Sequence, residues 1–410
     1  MPAHPHPGTS HTTSRSAILD IIRSAGPISR VEVARATKFS APTVSIVVRR
    51  LIEDGLVVEV GQGESTGGKR RTLLQLDTGA RYAVGVHLDH GGISFVVSDL
   101  ASTIVARWRR PGAGSDAPQD VVDRIADDIR DNLARVNIGI ERVLGLGVVS
   151  PGPIFQHTQM TLTPPQMRSW SDFPLAAALE KAIGLPVKLE NDATAAALGE
   201  YWSGAIDAHA TFAAVYMGTG IGAGIVIDGS VLRGVSSNAG EVGHICVDVN
   251  GPLCWCGARG CVETLAAPPR VVENSRSTSL KLSGSDVTQE FADIARAAAR
   301  GEKEAVDLLH ESAQYLAVAI QTIANLLDLS RVVLTGPAFA HAGSLYLPTI
   351  QARLDEVFFA RESHSVEVVI SSNASEAAAI GACSLVLQSE LSPRVDSTGT
   401  GLEPVVVAAG

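Results

Sequence analysis

Apolar residues begin to recur at helical spacing from Ser14, where Ile18, Leu19 and Ile22 fall on one face. Gly26-Pro27 ends that helix. Ser29 caps a second helix and Glu32, three residues on, completes a capping box; Val31, Val33 and Ala34 are its apolar positions. After a turn through Thr37-Lys38-Phe39, Ser40 caps a third helix that tolerates Pro42 in its first turn. Val44, Val47, Val48 and Leu51 form the stripe of that helix, and Gly55 stops it. Residues 56–60 and 72–76 read as strands on either side of a glycine-rich segment. Three helices and a hairpin predict a winged helix-turn-helix over residues 14–76.

The pattern then changes. Residues 82–89, 93–99 and 103–108 are three successive strand-like runs, followed by a helix over 117–136 and a buried strand over 143–149. A helix over 174–183, a strand over 187–189 and a helix over 193–203 complete this set. A comparable start recurs at 210–217 and 223–227, strands joined by Gly218-Thr219-Gly220-Ile221-Gly222. A long helix over 303–328, a strand over 331–334 and a final helix over 375–388 follow. Hairpin strands followed by alternating strand and helix, twice over, predict two similar α/β lobes with a cleft between them. The expected boundaries are a disordered tail over 1–13, a first lobe over 80–190 plus 375–390, a second lobe over 191–374, and a flexible tail over 391–410.

Composition supports a folded chain: 45% of the 410 residues are hydrophobic and 19% charged. The net charge of −10 argues against a nucleic-acid partner when taken whole. Residues 1–76, however, hold 10 Lys and Arg against 6 Asp and Glu, a net +4, while the remainder is at −14. A basic N-terminal piece on an acidic body hints at nucleic-acid contact by that piece alone. No apolar run is long enough to span a bilayer, and the N-terminus lacks the apolar core of a signal peptide, so a cytoplasmic protein is expected.

Four motifs carry chemistry. The third helix opens Ser40-Ala41-Pro42-Thr43-Val44-Ser45, small residues that could enter a major groove. Arg49 and Arg50 follow at phosphate reach, and Lys69, Arg70 and Arg71 lie on the wing. A structural cap or protein-interaction module is the alternative. His244, Cys254, Cys256 and Cys261 offer one imidazole and three thiolates, the ligand set of a closed structural zinc site; buried free thiols are the alternative. Glu241 with His244 suits vicinal hydroxyls, and Asn191-Asp192 at a strand-to-helix junction offers a hydroxyl binder and a general base, or simply an N-cap pair. Gly218, Thr219, Gly220 and Gly222 could cradle phosphate or merely form a tight hairpin; the loop lacks a Walker A ending.

Together these motifs resemble the ROK family (repressors, open reading frames and kinases) over residues 14 to about 388. The segment from Gly26-Pro27-Ile28-Ser29-Arg30 to Leu51, Asn191-Asp192-Ala193, the second-lobe glycine loop, Glu241-x-Gly-His244 and Cys254-x-Cys256-Gly-x-x-Gly-Cys261-x-Glu263 carry the likeness. The resemblance implies an actin/hexokinase-like two-lobed fold with ribonuclease H-like lobes behind an N-terminal winged helix-turn-helix. It implies sugar contacts by Asn191, Asp192, Glu241, His244 and Glu263, with Asp192 the catalytic base in a kinase. It also implies a structural Zn2+ on His244, Cys254, Cys256 and Cys261, and DNA contacts that include Ser29, Arg30, Ser40, Pro42, Thr43 and Ser45.

One departure decides between the branches of that family. ROK kinases open the first lobe with an Asp-x-Gly-Gly-Thr hairpin for ATP and magnesium; His87 stands at that Asp, and Asp89-His90-Gly91 at Gly-Gly-Thr. A slip to Asp89 and Gly91-Gly92 would partly restore the motif. An intact sugar half and an eroded nucleotide half look like a transcriptional repressor. The expectation is a sugar-responsive regulator that binds operator DNA as a homodimer or homotetramer and senses a monosaccharide or sugar phosphate. The alternative is an ATP/Mg2+-dependent sugar kinase with a DNA-binding module.

Overall fold

The computed structural model describes residues 14–62, 71–152, 154–155, 161–162, 165–202 and 210–391. The expected tail over 1–13, all of the expected tail over 391–410 but its first residue, and the wing tip with Lys69 and Arg70 lie outside the described residues; Leu391 is helical. The chain divides into two compact units, Met1–Ala80 with Leu387–Gly410, and Arg81–Val386.

In the first unit α1 (Ser14–Ala25), β1 (Ile28–Ser29), α2 (Arg30–Thr37), α3 (Ala41–Glu53), β2 (Val57–Gln62) and β3 (Thr72–Leu76) follow in order. The capping box forms: Glu32 Oε2 accepts from the Ser29 backbone N–H at 2.9 Å and from its hydroxyl at 2.6 Å, while Ser29 Oγ accepts from the Glu32 N–H. Lys38 takes the left-handed conformation that ends α2, at φ 59°. Ser40 Oγ caps α3 through the Thr43 N–H. Ile18, Leu19, Ile22, Val33, Val44, Val48, Leu51 and Leu74 are buried together in a helix-and-hairpin core. Of the apolar positions of α2, Val33 is buried, while Val31, two residues away and so on another side of the helix, is half exposed. The strand β1, too short for a periodic signal, pairs with β3 and closes a three-stranded sheet in the order β1-β3-β2.

The second unit contains two five-stranded sheets. The first is built from β4 (Tyr82–Leu88), β5 (Gly92–Asp99), β6 (Ile104–Pro111), β7 (Val143–Ser150) and β10 (Val187–Asn191), with α4 (Pro118–Arg135) and α5 (Leu175–Ile183). A small hairpin, β8 (Ile154–Phe155) with β9 (Thr161–Leu162), interrupts it. The order is β10-β7-β4-β5-β6, an antiparallel β4–β5–β6 meander continued by parallel β7 and β10. After α6 (Asp192–Trp202) the scheme repeats with β11 (Phe212–Met217), β12 (Ile221–Ile227), β13 (Ser230–Val231), α7 (Val262–Ala266), α8 (Pro268–Ser275), α9 (Val287–Ala299), α10 (Lys303–Leu327), β14 (Arg331–Thr335), α11 (Pro337–Val357) and β15 (Glu367–Ile370). The second order, β13-β12-β11-β14-β15, again joins antiparallel hairpins to parallel strands. The last helix, α12 (Ala377–Leu391), extends a turn beyond the expected end at 388.

Two helices join the lobes, α6 with the second sheet and α12 with the first. Both are rich in alanine and glycine and buried nearly all round, so neither shows an amphipathic pattern. A Cβ at Gly85 or Gly147 would stand 2.0 Å from a carbonyl oxygen of α12, and one at Gly224 2.3 Å from a carbonyl of α6. The helices touch where Gly381 passes the Ala195 carbonyl, at which a Cβ would sit 1.8 Å away. Glycine is required there for space, not for a positive φ. The Cys383 thiol is buried against the carbonyls of Ala83 and Val96, and burial pushes it up to about 12, so it is a core group.

Gly381→Ala should therefore overpack the α6–α12 crossing and cost about 1–3 kcal/mol, read as a lower urea midpoint at unchanged slope. An unchanged midpoint would show that the crossing yields without cost.

Candidate functional site

The cysteine cluster is built by a tight loop. Gly257 and Gly260 take φ values of 94° and 61°, and a Cβ at Gly260 would lie 1.6 Å from the Asp248 carbonyl. The Cys254 N–H donates to the Ala258 carbonyl and the Gly257 N–H to that of Cys254. The ligand atoms of His244, Cys254, Cys256 and Cys261 consequently lie within 4.8 Å of one another. Cys256 Sγ and Cys261 Sγ are 3.7 Å apart, and Cys254 Sγ is 3.5 Å from His244 Nδ1. A tetrahedral Zn2+ with bonds of about 2.3 Å to sulfur and about 2.05 Å to nitrogen would set these separations at about 3.8 and 3.6 Å. Burial pushes Cys254 up and Cys261 up to about 12, while the Ala258 N–H holds Cys256 down. Three crowded thiols of this kind need a cation before they ionise together. Cys246 is exposed and stands across a bridge from Cys261, outside the cluster.

His244, whose Nδ1 lies 3.5 Å from Cys254 Sγ, also lines a cleft in the second unit. The cleft is also lined by Asn191, Asp192, Glu241 and Glu263, so all five expected sugar contacts converge. Asn191 ends β10 and its Oδ1 accepts from the Thr194 N–H, the N-cap role considered above; its amide nitrogen faces Gly152. Asp192 is buried, with Oδ1 accepting from the Ala193 N–H. Burial first, then the charges of Asp192 and Glu263, raise Glu241 to about 7. Glu263 is fixed by two donors, Ile221 N–H and Trp255 Nε1, each at 3.1 Å.

The opposite side of the cleft differs from a phosphate cradle. His87 Nε2 is buried without a hydrogen bond and lies 3.6 Å from Asp192 Oδ2. Asp89 lines the same wall, and burial raises its pKa. Gly218 is closed onto Gly220 by a backbone bond, and the Ile221 N–H is already given to Glu263. A Cβ at Gly222 would press on the Ala193 methyl at 3.0 Å, so the loop packs closely on α6 there. The loop thus serves packing and holds Glu263. Two residues not anticipated also face the cleft: Tyr216, buried edge-on to His87 with its phenol pushed well up by burial, and Arg109 from the edge strand β6. Neither belongs to a short motif; only the sheet brings them there.

On α3, Pro42, Ser45, Ile46 and Arg49 are exposed at the spacing of a single helix face. Ile46, half exposed, was not anticipated; an apolar residue there can meet a thymine methyl. Arg49 and Arg50 make no ion pair among the described residues, and Arg71 is exposed. Ser29 does not belong to this face: it is 3% exposed and its hydroxyl is consumed by the capping box. Arg30 is held by Glu59 at 2.9 Å, and Ser40 and Thr43 bond each other at 2.8 Å.

Comparison with known proteins gives two family matches, the ROK family over residues 83–389 and a winged helix-turn-helix DNA-binding family over residues 12–58. The chain is 29% identical over 374 residues to the xylose repressor of Bacillus subtilis, covering 91% of this chain and 94% of that protein. It is 31% identical over 319 residues to a glucokinase of Halalkalibacterium halodurans, covering 76% and 96%. A solved ROK-family transcriptional regulator, a homologue of the E. coli Mlc protein, superposes with a TM-score of 0.73 at 24% identity over 92% of this chain and 96% of that one.

Cys256→Ser should abolish retention of one equivalent of zinc per chain and lower the thermal midpoint by several degrees. Metal analysis by mass spectrometry beside a melting curve reads both. A variant that kept a full equivalent would remove Cys256 from the ligand set.

Proposed function

The chain belongs to the ROK family, and from that premise we propose that it is a sugar-responsive transcriptional repressor that binds operator DNA through α3. The carrying observation is the asymmetry of the cleft. Asn191, Asp192, Glu241, His244 and Glu263, the groups that would bind hydroxyls, converge in one cleft, while His87, 3.6 Å from Asp192, stands where a kinase would present its metal-binding carboxylate. A zinc ion on His244, Cys254, Cys256 and Cys261 would hold the loop that presents Glu241 and Glu263. His244 would serve the metal with Nδ1 and a sugar hydroxyl with Nε2. Among the described residues no helix is long and apolar enough to cross a membrane.

On DNA, Pro42, Ser45 and Ile46 would meet base edges, with Ser40 and Thr43 at the helix N-terminus and Arg49, Arg50 and the wing residues Lys69, Arg70 and Arg71 on phosphates. One helix-turn-helix reads one half-site, so a homodimer or homotetramer is the working assembly. The sugar, free or phosphorylated, acts through its differential affinity for the DNA-bound and released states, with a coupling of about 1–3 kcal/mol.

A kinase reading is favoured by buried Asp192 and by the glucokinase likeness. In that reading Asp192 accepts the proton of the attacking hydroxyl, and ATP/Mg2+ would have to bind beside His87 and Asp89. Two acidic groups without the open glycine hairpin disfavour a triphosphate there.

Arg49→Ala should weaken operator binding about tenfold and reduce the slope of log affinity against log salt by about one, with sugar affinity unchanged. Mobility-shift titrations at several salt concentrations and calorimetry measure the two effects; failure of the unaltered protein to bind any upstream DNA would overturn the repressor reading. A coupled ADP-release assay across hexoses should show no turnover. Robust turnover lost in Asp192→Asn would establish the kinase instead.

A further inference from the structure

The loop that carries the cysteines also carries an aromatic ring that borders the inner cleft and extends beyond it. Trp255 lies between Cys254 and Cys256, and 54% of it is exposed. The chain's three other tryptophans are more enclosed, Trp170 wholly and Trp202 nearly so. Trp255 is not a loose surface residue. Its Nε1 donates to Glu263 at 3.1 Å, and its ring meets His244 edge-on with centroids 4.9 Å apart. These contacts fix the plane of the indole while leaving much of the ring uncovered.

The uncovered part borders a second cavity of about 420 Å³. It is continuous with the inner cleft, since Gly152, Thr219, Gly220, Trp255 and Glu263 line both. Its floor is apolar, from Pro252, Leu253 and Trp255, and Leu253 is 66% exposed. Its rim carries Arg270 and Glu273 on α8, paired at 2.7 Å and partly exposed. A flat apolar platform with a charged, hydrogen-bonding rim matches a pyranose, which presents C–H groups on its faces and hydroxyls at its edge.

We propose that this cavity is a second sugar subsite, so that the effector is a disaccharide or larger glycoside with one ring in the inner cleft and the next on Trp255. This deepens the sugar-sensing reading and rests on it. Glu263 links the two positions, because one of its oxygens accepts from Trp255 and the carboxylate also faces the inner cleft. The metal loop then orients both subsites: His244 and Glu263 for the first ring and Trp255 for the second.

The test is calorimetry on the full zinc-loaded chain with glucose, xylose and N-acetylglucosamine, each against its 1,4-linked dimers. In one series the dimer should bind at least tenfold tighter than the monomer and quench Trp255 fluorescence. Trp255→Ala and Arg270→Ala should each lower that advantage at least threefold. Trp255→Phe, which keeps a ring but loses the N–H, should retain more of it than Trp255→Ala. If monomers bind and no dimer binds tighter, or if the advantage survives both alanine variants, the second subsite is wrong while the sensor reading stands. If no saccharide of any length binds, both readings fall.

Discussion

The point on which the larger unit depends is the approach of α6 and α12. The first sheet packs on α12 through Gly85 and Gly147, the second on α6 through Gly224, and the two helices meet at Gly381 and Ala195. Backbone packs on backbone at each contact, so little side-chain volume is available to absorb change. The same contact sets the cleft. Asp192 opens α6, Asn191 closes the strand before it, and Gly222 faces Ala193 in its first turn. A shift of α6 relative to α12 would move Asp192, the first residue of α6, against His87, which belongs to the first sheet.

The loop from Glu241 to Glu263 is a second junction, of chemistry. Four metal-type donors, two carboxylates and an indole are placed by one short segment, and Glu263 is tied to the backbone of the β11–β12 turn. A zinc ion there would not only clamp three thiols. It would also hold the backbone that positions His244 and Glu263, and metal and sugar affinities would then be thermodynamically linked through the loop.

Local signals were legible in the sequence and long-range ones were not. The Ser29–Glu32 box, the two N-caps and the His-Cys cluster depend on residues near one another in the chain, and spacing alone revealed them. Asn191-Asp192 and Glu241 with His244 are suggested by their own chemistry and strengthened by family likeness, Glu263 comes from the likeness alone, and the structure brings all five to one cleft. Arg109 and Tyr216 reach that cleft only through sheet order, and Ile46 is distinguished from its buried neighbours only by the packing of α3. The helices α8, α9 and α11 and strand β15 were not foreseen. In α11 an internal Pro348 breaks the local signal for a helix that tertiary packing sustains. Ser29 shows the converse: a residue at a DNA-binding motif can be consumed by the fold.

The acidity of the body acquires a physical meaning in the cleft. Asp89, Asp192, Glu241 and Glu263 line one cavity, and each raises the cost of ionising at least one of the others or is raised by burial itself. Water solvates them incompletely, and His87 stands near Asp192 at 3.6 Å, too far for a hydrogen bond. Four carboxyl groups sharing one cavity are electrostatically costly to ionise together. A polyhydroxylated ring would give these carboxylates donors without adding charge, whereas a triphosphate would add the wrong charge. On the proposed reading, the groups that would discourage nucleotide are the ones that would reward sugar. Since the reward depends on the walls lying close around the ligand, sugar would favour the closed cleft over the open one by the difference in hydrogen bonds made. That difference is the free energy available to move a DNA-binding equilibrium.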